Sequence, residues 1–406
     1  MKIIGAVLEA TGMPAPYAAS RPVRIAELDL DAPGPTELLV ELECAGLCHS
    51  DLSVVNGTRA RPVPMLLGHE AAGIVREVGA EVTDLREGQR VVMTFLPRCG
   101  RCSACATDGR LPCVEGSRAN TAGTLLSGAV RLSRSGEPVL HHLGVSAFAS
   151  HAVVDRRSVV PVDDDVPAEV AAVLGCAVLT GGGAVVNAGR PLPGQRVAVV
   201  GLGGVGMAAL LTALASGDNE VVGIDTIPEK LAQASALGAT QAWTPAQAVE
   251  AEFTADVVIE AAGSGRAFEG AVKLTAPGGV TVTVGLPAPT DLSAISALGL
   301  VAEARTIVGS YLGSAVPERD IPRYVELWRA GRLPVESLVS HRISLHDLNE
   351  GMDDLAAGRA VRQIIELGKG GAQPRRMLPI AAPTAPAPKA VPVLSDPPTD
   401  PDSPRP

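Results

Sequence analysis

The sequence predicts a two-part α/β protein, a β-rich first part followed by a doubly wound parallel sheet. Three observations predict it. Short β-type runs punctuated by Gly and Pro fill the chain to about residue 177. Beyond that point strands alternate with helical patterns. At the first alternation stands a glycine-rich turn, Gly201-Leu-Gly203-Gly-Val-Gly206, between a strand and a helix.

In the first part the β-type runs include Glu37–Cys44, Ala72–Val78 and Arg90–Met93. In the second, Arg196–Val200 reads as a buried strand, Gly204–Ser216 as a helix and Glu220–Asp225 as the next strand. Asp256–Glu260 and Val280–Gly285 are further strands, with Phe268–Leu274 in a helix between them. After about 313 the pattern runs helix (Ile321–Ala330), short strand, helix (Leu345–Ala357) and strand (Arg362–Leu367). These readings divide the chain into 1–177, 178–312, a return to the first part over 313–369, and a tail, 370–406. The tail is dominated by Pro and Ala, with too little apolar bulk to offset its ordering entropy, so disorder is expected there.

Hydrophobic residues make up 46% of the 406, enough for sizeable cores. A net charge of −10 and the lack of a long Lys/Arg block argue against a nucleic-acid partner. The start, MKIIGAVLEA, has no charged region followed by a long apolar one, so no signal peptide is expected. The run Val197–Ala215 is long enough to suggest a membrane span, but glycines 201, 203, 204 and 206 interrupt it, and its neighbours suit strand, turn and helix. The expectation is a cytoplasmic protein without membrane or nucleic-acid partners. Cysteines stand at 44, 48, 99, 102, 105, 113 and 176, and such clustering suggests metal ligands rather than disulfides.

The glycine turn carries chemistry because of its context. Gly201 permits the tight turn, Gly203 lets the backbone approach a pyrophosphate, and Gly206 allows close helix–strand packing. The helix start offers free N–H groups to phosphates. Asp225, at the end of the next strand, would accept hydrogen bonds from both adenine-ribose hydroxyls and repel a 2′-phosphate; Thr226 and Ile227 supply no arginine, so NAD is favoured over NADP. Cys99, Cys102, Cys105 and Cys113, within the loop 97–115, suit a closed four-thiolate zinc site, with an iron–sulfur cluster as the competing reading. A scattered set remains: Cys48-His49-Ser50-Asp51, Gly68-His69-Glu70 and Cys176. Each alone is weak, since a buried Cys or His is more often a packed core residue.

Taken together, the segments LCHSDLSVVNGT, LLGHEAAGIVREVG, CGRCSACATDGRLPC, GLGGVG and VRQIIEL resemble, in order, the zinc-containing medium-chain alcohol dehydrogenases, over about residues 5 to 367. The stretch from Gly123 to Ser150 is similar to the family's longer, typically dimeric branch. The resemblance implies a GroES-like catalytic domain joined to a Rossmann cofactor domain, with two zinc ions per chain and NAD. It implies that Cys48, His69 and Cys176 hold a catalytic zinc, the Cys2His set for which alcohol dehydrogenases are the standing example. Cys99, Cys102, Cys105 and Cys113 then hold a structural one. Glu70 is implied beside the catalytic zinc as a transient ligand, Asp51 as the carboxylate that orients His69, and Ser50 as the hydroxyl that receives the substrate proton. His49 and Arg362 are implied at the cofactor pyrophosphate and Lys230 near the adenosine ribose. Phe95, Leu143 and Leu286 are implied as the pocket lining, with Arg59 near its mouth. One position departs: many members carry a His three residues after the relay hydroxyl, and here Ser53 stands there.

The expected reaction is reversible hydride transfer between a primary aliphatic or aromatic alcohol and NAD, in an apolar tunnel. Two rivals stand beside it: a dehydrogenase of a hydroxymethyl-thiol (formaldehyde) adduct, with Arg59 or Arg118 meeting its charge, and a non-catalytic NAD-binding protein on the same fold. A homodimer is expected, pairing the edge strand near Thr306–Leu312 with its symmetry mate.

Overall fold

The structure, a computed structural model, describes residues 1–367 and a two-residue strand, Arg376–Met377. The chain opens with a small closed barrel of the strands Lys2–Leu8, Val23–Leu30, Leu132–Arg134, Glu137–His141 and Met65–Leu66. Against it lies an eight-stranded sheet around the long strand Glu37–Leu47, whose apolar residues Leu38, Val40 and Leu42 are buried. That strand pairs antiparallel with Ala71–Val78 on one side and Arg362–Glu366 on the other, so the end of the described chain returns to the first sheet. His151–Asp155 also pairs with it, along its first half.

The second sheet is wholly parallel. Its order is Gln241–Trp243, Glu220–Ile224, Arg196–Val200, Ala255–Glu260, Thr275–Thr283, Thr306–Gly309, and the helices Gly204–Ala215 and Gly265–Leu274 belong to its crossovers. Arg196–Val200 is central and almost completely buried, as its run of Val and Ala requires.

Three elements differ from the sequence reading. A continuous helix, Ala168–Gly189, runs straight across the expected division at 177/178. It has the length and apolarity of a membrane span, but 89% of its most apolar window is buried within the protein, as in a core helix. Its all-round apolarity hides the 3.6-residue stripe by which a surface helix is recognised. The edge strand expected over Thr306–Leu312 stops at Gly309; Leu312, Gly313 and Ser314 have φ of 52°, 67° and 49°, which turns Tyr311–Ser314 into a tight coil. The helix expected from Ile321 starts four residues earlier, at Pro317, where proline's missing N–H is no loss. In the expected disordered tail, the backbone of Arg376–Met377 pairs with His341 and Arg342, and the remainder lies outside the described residues.

Candidate active site and metal centres

The long strand Glu37–Leu47 ends by delivering Cys48, which caps the helix His49–Val55. The cap is closed by Asp51, whose Oδ2 accepts the Cys48 N–H at 3.0 Å. The same carboxylate's Oδ1 accepts from His69 Nδ1 at 3.0 Å and stands 3.3 Å from His142 Nδ1. Burial would push Asp51 up, but His69 and His142 hold it down at about 2. A carboxylate on Nδ1 leaves His69 Nε2 free to act as a ligand.

That nitrogen lies 3.5 Å from Cys176 Sγ, and the ligand atoms of Cys48, His69 and Cys176 all fall within 4.8 Å of one another. Metal–sulfur and metal–nitrogen bonds of the usual zinc lengths, set tetrahedrally, place S and N about 3.6 Å apart. The three groups are buried, and they fit a zinc ion. Cys176 sits in a π-type stretch, Leu174–Val178, of the long core helix, a local irregularity frequent at functional sites. The hydrogen bond from Cys176 holds the Cys48 thiolate well below the ordinary thiol range, while Cys176 itself is pushed up.

Glu70 is fully buried next to this set. Its Oε2 accepts the Ala177 N–H at 3.2 Å, and its Oε1 lies 3.5 Å from Arg362 Nε. Burial lifts Glu70 to about 7 against the pull of Arg362. Arg362 also donates to Leu47 O, and its guanidinium covers Gly204, the first residue of the helix after the glycine turn. A buried cation thus links the metal-ligand set to the dinucleotide turn.

The turn matches its expected geometry. Gly201 has φ +90°, and a side chain at Gly206 would collide with the Gly201 carbonyl. Among the described residues nothing stands within 4 Å of where a Cβ on Gly203 would sit, so the space a pyrophosphate needs is open. Asp225 accepts the Leu202 N–H at 2.6 Å and the Ile227 N–H at 2.9 Å, which fixes its carboxylate at the turn. His49 is exposed at the start of its helix, in the field of Arg362 and Lys230. These groups fit a dinucleotide.

The four clustered thiols converge. Sγ separations are 4.0 Å for Cys99–Cys105, 3.6 Å for Cys102–Cys105 and 4.0 Å for Cys102–Cys113. A tetrahedral zinc site with four sulfurs has an edge of about 3.8 Å, whereas a multi-iron cluster places several atoms between its thiolates. The spacing therefore fits a single ion. The Cys99 and Gly116 N–H groups donate to Cys113 Sγ.

A cavity of about 330 Å³ opens beside the Cys48–His69–Cys176 set, lined by Ser50, Val54, Arg59, Arg61, Phe95, His142, Leu143, Leu286 and Tyr311. Ser50 and the four expected pocket residues are all in it. Phe95 and Leu143 are buried, while Leu286 is 47% exposed. The expected apolar tunnel needs correction, because Arg61, His142 and Tyr311 join Arg59 in the wall. Phe95 and His142 each set an edge against the His69 ring, at centroid distances of 5.6 and 5.4 Å, so the cavity abuts the ligand set. Arg118 is outside the lining and pairs with Glu115. The Ser53 hydroxyl donates to His49 O at 2.8 Å, so it supplies no base where many relatives carry a histidine. His142 escaped the sequence reading although it adjoins Leu143; two adjacent histidines in HHLG carry no metal-ligand or catalytic spacing.

Residues 34–164 match the alcohol dehydrogenase GroES-like domain, and 204–329 match the zinc-binding dehydrogenase domain. The chain is 34% identical to the NDMA-dependent alcohol dehydrogenase of Amycolatopsis methanolica over 86% of its own length and 96% of the relative's. Among solved structures it superposes on an alcohol dehydrogenase zinc-binding domain protein from Burkholderia ambifaria at a TM-score of 0.84, with 30% identity over 91% of this chain and all of the other. The benzyl alcohol dehydrogenase of Acinetobacter calcoaceticus gives 0.83 and 29%, again over 91% of this chain and all of the other.

Proposed function

The chain belongs to the zinc-containing medium-chain alcohol dehydrogenase family, and from that premise we propose that it interconverts a primary alcohol and its aldehyde using zinc and NAD. It is an oxidoreductase with a GroES-like domain and a Rossmann domain. One observation carries the finer reading: Cys48, His69 and Cys176 converge behind a cavity that Ser50 lines.

When bound, zinc would act as a Lewis acid toward the substrate hydroxyl and NAD would accept the hydride. Ser50 Oγ would accept the proton of the substrate hydroxyl while giving up its own toward solvent water, so that it relays the proton and stays neutral. Asp51 keeps His69 in one tautomer and orientation. Phe95 and Leu143 exclude water from the reacting end. The turn at Gly201–Gly206, with Arg362, Lys230 and His49, holds the dinucleotide, and Asp225 selects NAD through its ribose. Cys99, Cys102, Cys105 and Cys113 hold a second zinc that cross-links their loop.

Homodimer formation is part of the same proposal. Thr306–Gly309 is an edge strand, and Leu292, Leu298 and Val301, in the segment before it, are 78–85% exposed. A monomeric mass at micromolar concentration would count against it.

The test is NADH absorbance from purified, zinc-loaded protein with a panel of primary alcohols, with and without a chelator. NADP and NDMA serve as alternative acceptors, the latter because one relative is named for it. Chelator-sensitive turnover with NAD is expected. Turnover of none of the alcohols with any acceptor would refute the reading.

A further inference from the structure

Resting on the reading above, we infer that the alcohol carries a carboxylate at the end remote from its hydroxyl, bound by Arg59 together with Arg61. Both arginines line the cavity next to Ser50 and are half-buried. Several other half-buried arginines of this acidic chain face a carboxylate, as Arg90 faces Glu43, Arg131 faces Glu37 and Arg342 faces Glu169, while Arg98 and Arg332 donate to the main-chain carbonyls of Cys105 and Ala215. Among the described residues Arg59 and Arg61 have no such ion pair, and the cavity wall contains no Asp or Glu. The carboxylate of Asp51 is engaged by His69 and the Cys48 N–H, with His142 Nδ1 3.3 Å away.

Two further features point the same way. Arg61 Nε is sealed from solvent without a hydrogen-bond partner. Such a donor is costly unless something arrives to accept from it. Arg59 and Arg61 also repel each other: burial pulls Arg59 below its ordinary value, and Arg61 adds to that pull. A guanidinium does not lose its proton under these conditions, so the strain is relieved only by an anion.

A carboxylate suits the planar fork of a guanidinium better than a point anion does. The cofactor's phosphates do not fill this role, since no residue of the glycine turn lines the cavity. In the same wall, Val54, Phe95 and Leu143 offer apolar surface for a spacer.

The experiment compares 4-(hydroxymethyl)benzoate, 4-(hydroxymethyl)benzamide and benzyl alcohol as substrates of the zinc-loaded enzyme with NAD. The first two have nearly the same shape and differ in one terminal group, a charged carboxylate with two acceptor oxygens against a neutral amide with one. Wild type is expected to favour the benzoate over the benzamide in kcat/KM by about ten- to a hundredfold, mainly through KM. Arg59→Leu and Arg61→Leu should each shrink that ratio, their combination should bring it near one, and Arg59→Lys should restore part of it. Equal use of benzoate and benzamide by wild type overturns the inference and leaves the alcohol dehydrogenase reading intact; this comparison needs no variant to fold. A preference that survives in the double variant also overturns it. Calorimetric binding of the benzoate to the NADH-loaded enzyme separates the two readings. Binding that depends on Arg59 and Arg61 without turnover of any alcohol supports the anion site and sinks the dehydrogenase reading. Absence of such binding overturns the anion site.

Discussion

Replacing Asp51 by Asn tests whether one carboxylate organises the proposed catalytic metal set. The side chain is fully buried and accepts in two directions: Oδ2 from the Cys48 N–H at 3.0 Å, Oδ1 from His69 Nδ1 at 3.0 Å with His142 Nδ1 at 3.3 Å. Asparagine has the same shape but one acceptor oxygen. If that oxygen keeps the helix cap, the amide N–H₂ faces His69 Nδ1–H, donor against donor. His69 must then change tautomer, which puts a proton on Nε2 and removes its lone pair, or turn, which takes Nε2 away from Cys48 and Cys176. If the oxygen instead keeps His69, the Cys48 N–H is left buried and unpaired, at a cost of about 1–3 kcal/mol. Losing a partner of this kind lowers metal affinity by about 10–100-fold, or about 1.4–2.7 kcal/mol. The assay is zinc competition with a chelator of graded strength, read as zinc per chain. One zinc should leave Asp51→Asn at 10–100-fold lower chelator strength than in wild type, while the four-thiolate zinc stays. Activity should fall in parallel. Unchanged affinity of the weaker site would refute the argument, since it would mean that Asp51 neither orients nor charges His69.

Four other outcomes are expected. Cys102→Ala should lower Tm and release one zinc while the second remains, because the thiolate loop is also tied to the rest of the protein by the Asp108–Arg319 ion pair; differential scanning calorimetry with metal analysis reads both, and a Tm equal to wild type contradicts it. Asp225→Gly should weaken NAD and relax discrimination against NADP, since it removes both a hydroxyl acceptor and a repulsive charge; a wild type that uses both coenzymes equally would contradict this. His141 is buried, and burial lowers it to about 4 from 6.5, so its neutral form belongs to the folded state. The stability it contributes is complete above pH 6.5 and is lost as pH falls toward 4, a change of about 3 kcal/mol at most; denaturant titrations should show a shallower acid slope in His141→Gln, and an identical slope would exclude the histidine. Finally, charging the exposed edge segment with Leu298→Glu and Val301→Lys should shift sedimentation toward the monomer, and a mass unchanged from a wild-type dimer would place the contact elsewhere.

Much of this protein was legible before folding was considered. The four thiols and the glycine turn are each confined to about one loop or turn, so their ligand sets are written as spacings. The alternation of strand and helix after the glycine turn announces the parallel sheet for the same reason, since each element carries its own period. The core helix Ala168–Gly189 was not legible, because a segment apolar on every side has no period to read. Nor was the short edge strand, whose end depends on positive φ at Leu312 and Ser314, residue types that give no warning of it.

Chain connectivity alone determined that Cys48, Ser50 and Asp51 stand together, since they share one helix start, and that the thiolate loop can close on an ion. Only the tertiary structure decided what faces them. Arg59 and Arg61 come from the loop after that helix, Phe95 from beyond the strand Arg90–Met93, His142 from just past the barrel strand Glu137–His141, and Tyr311 from beyond the outermost strand of the parallel sheet. These residues meet because the two sheets share one apolar cluster around the helix Ala168–Gly189, which brings the loops beyond their strands to one cavity. No local spacing encodes that meeting, for it is set by the long-range burial of apolar surface on both sides of the helix Ala168–Gly189.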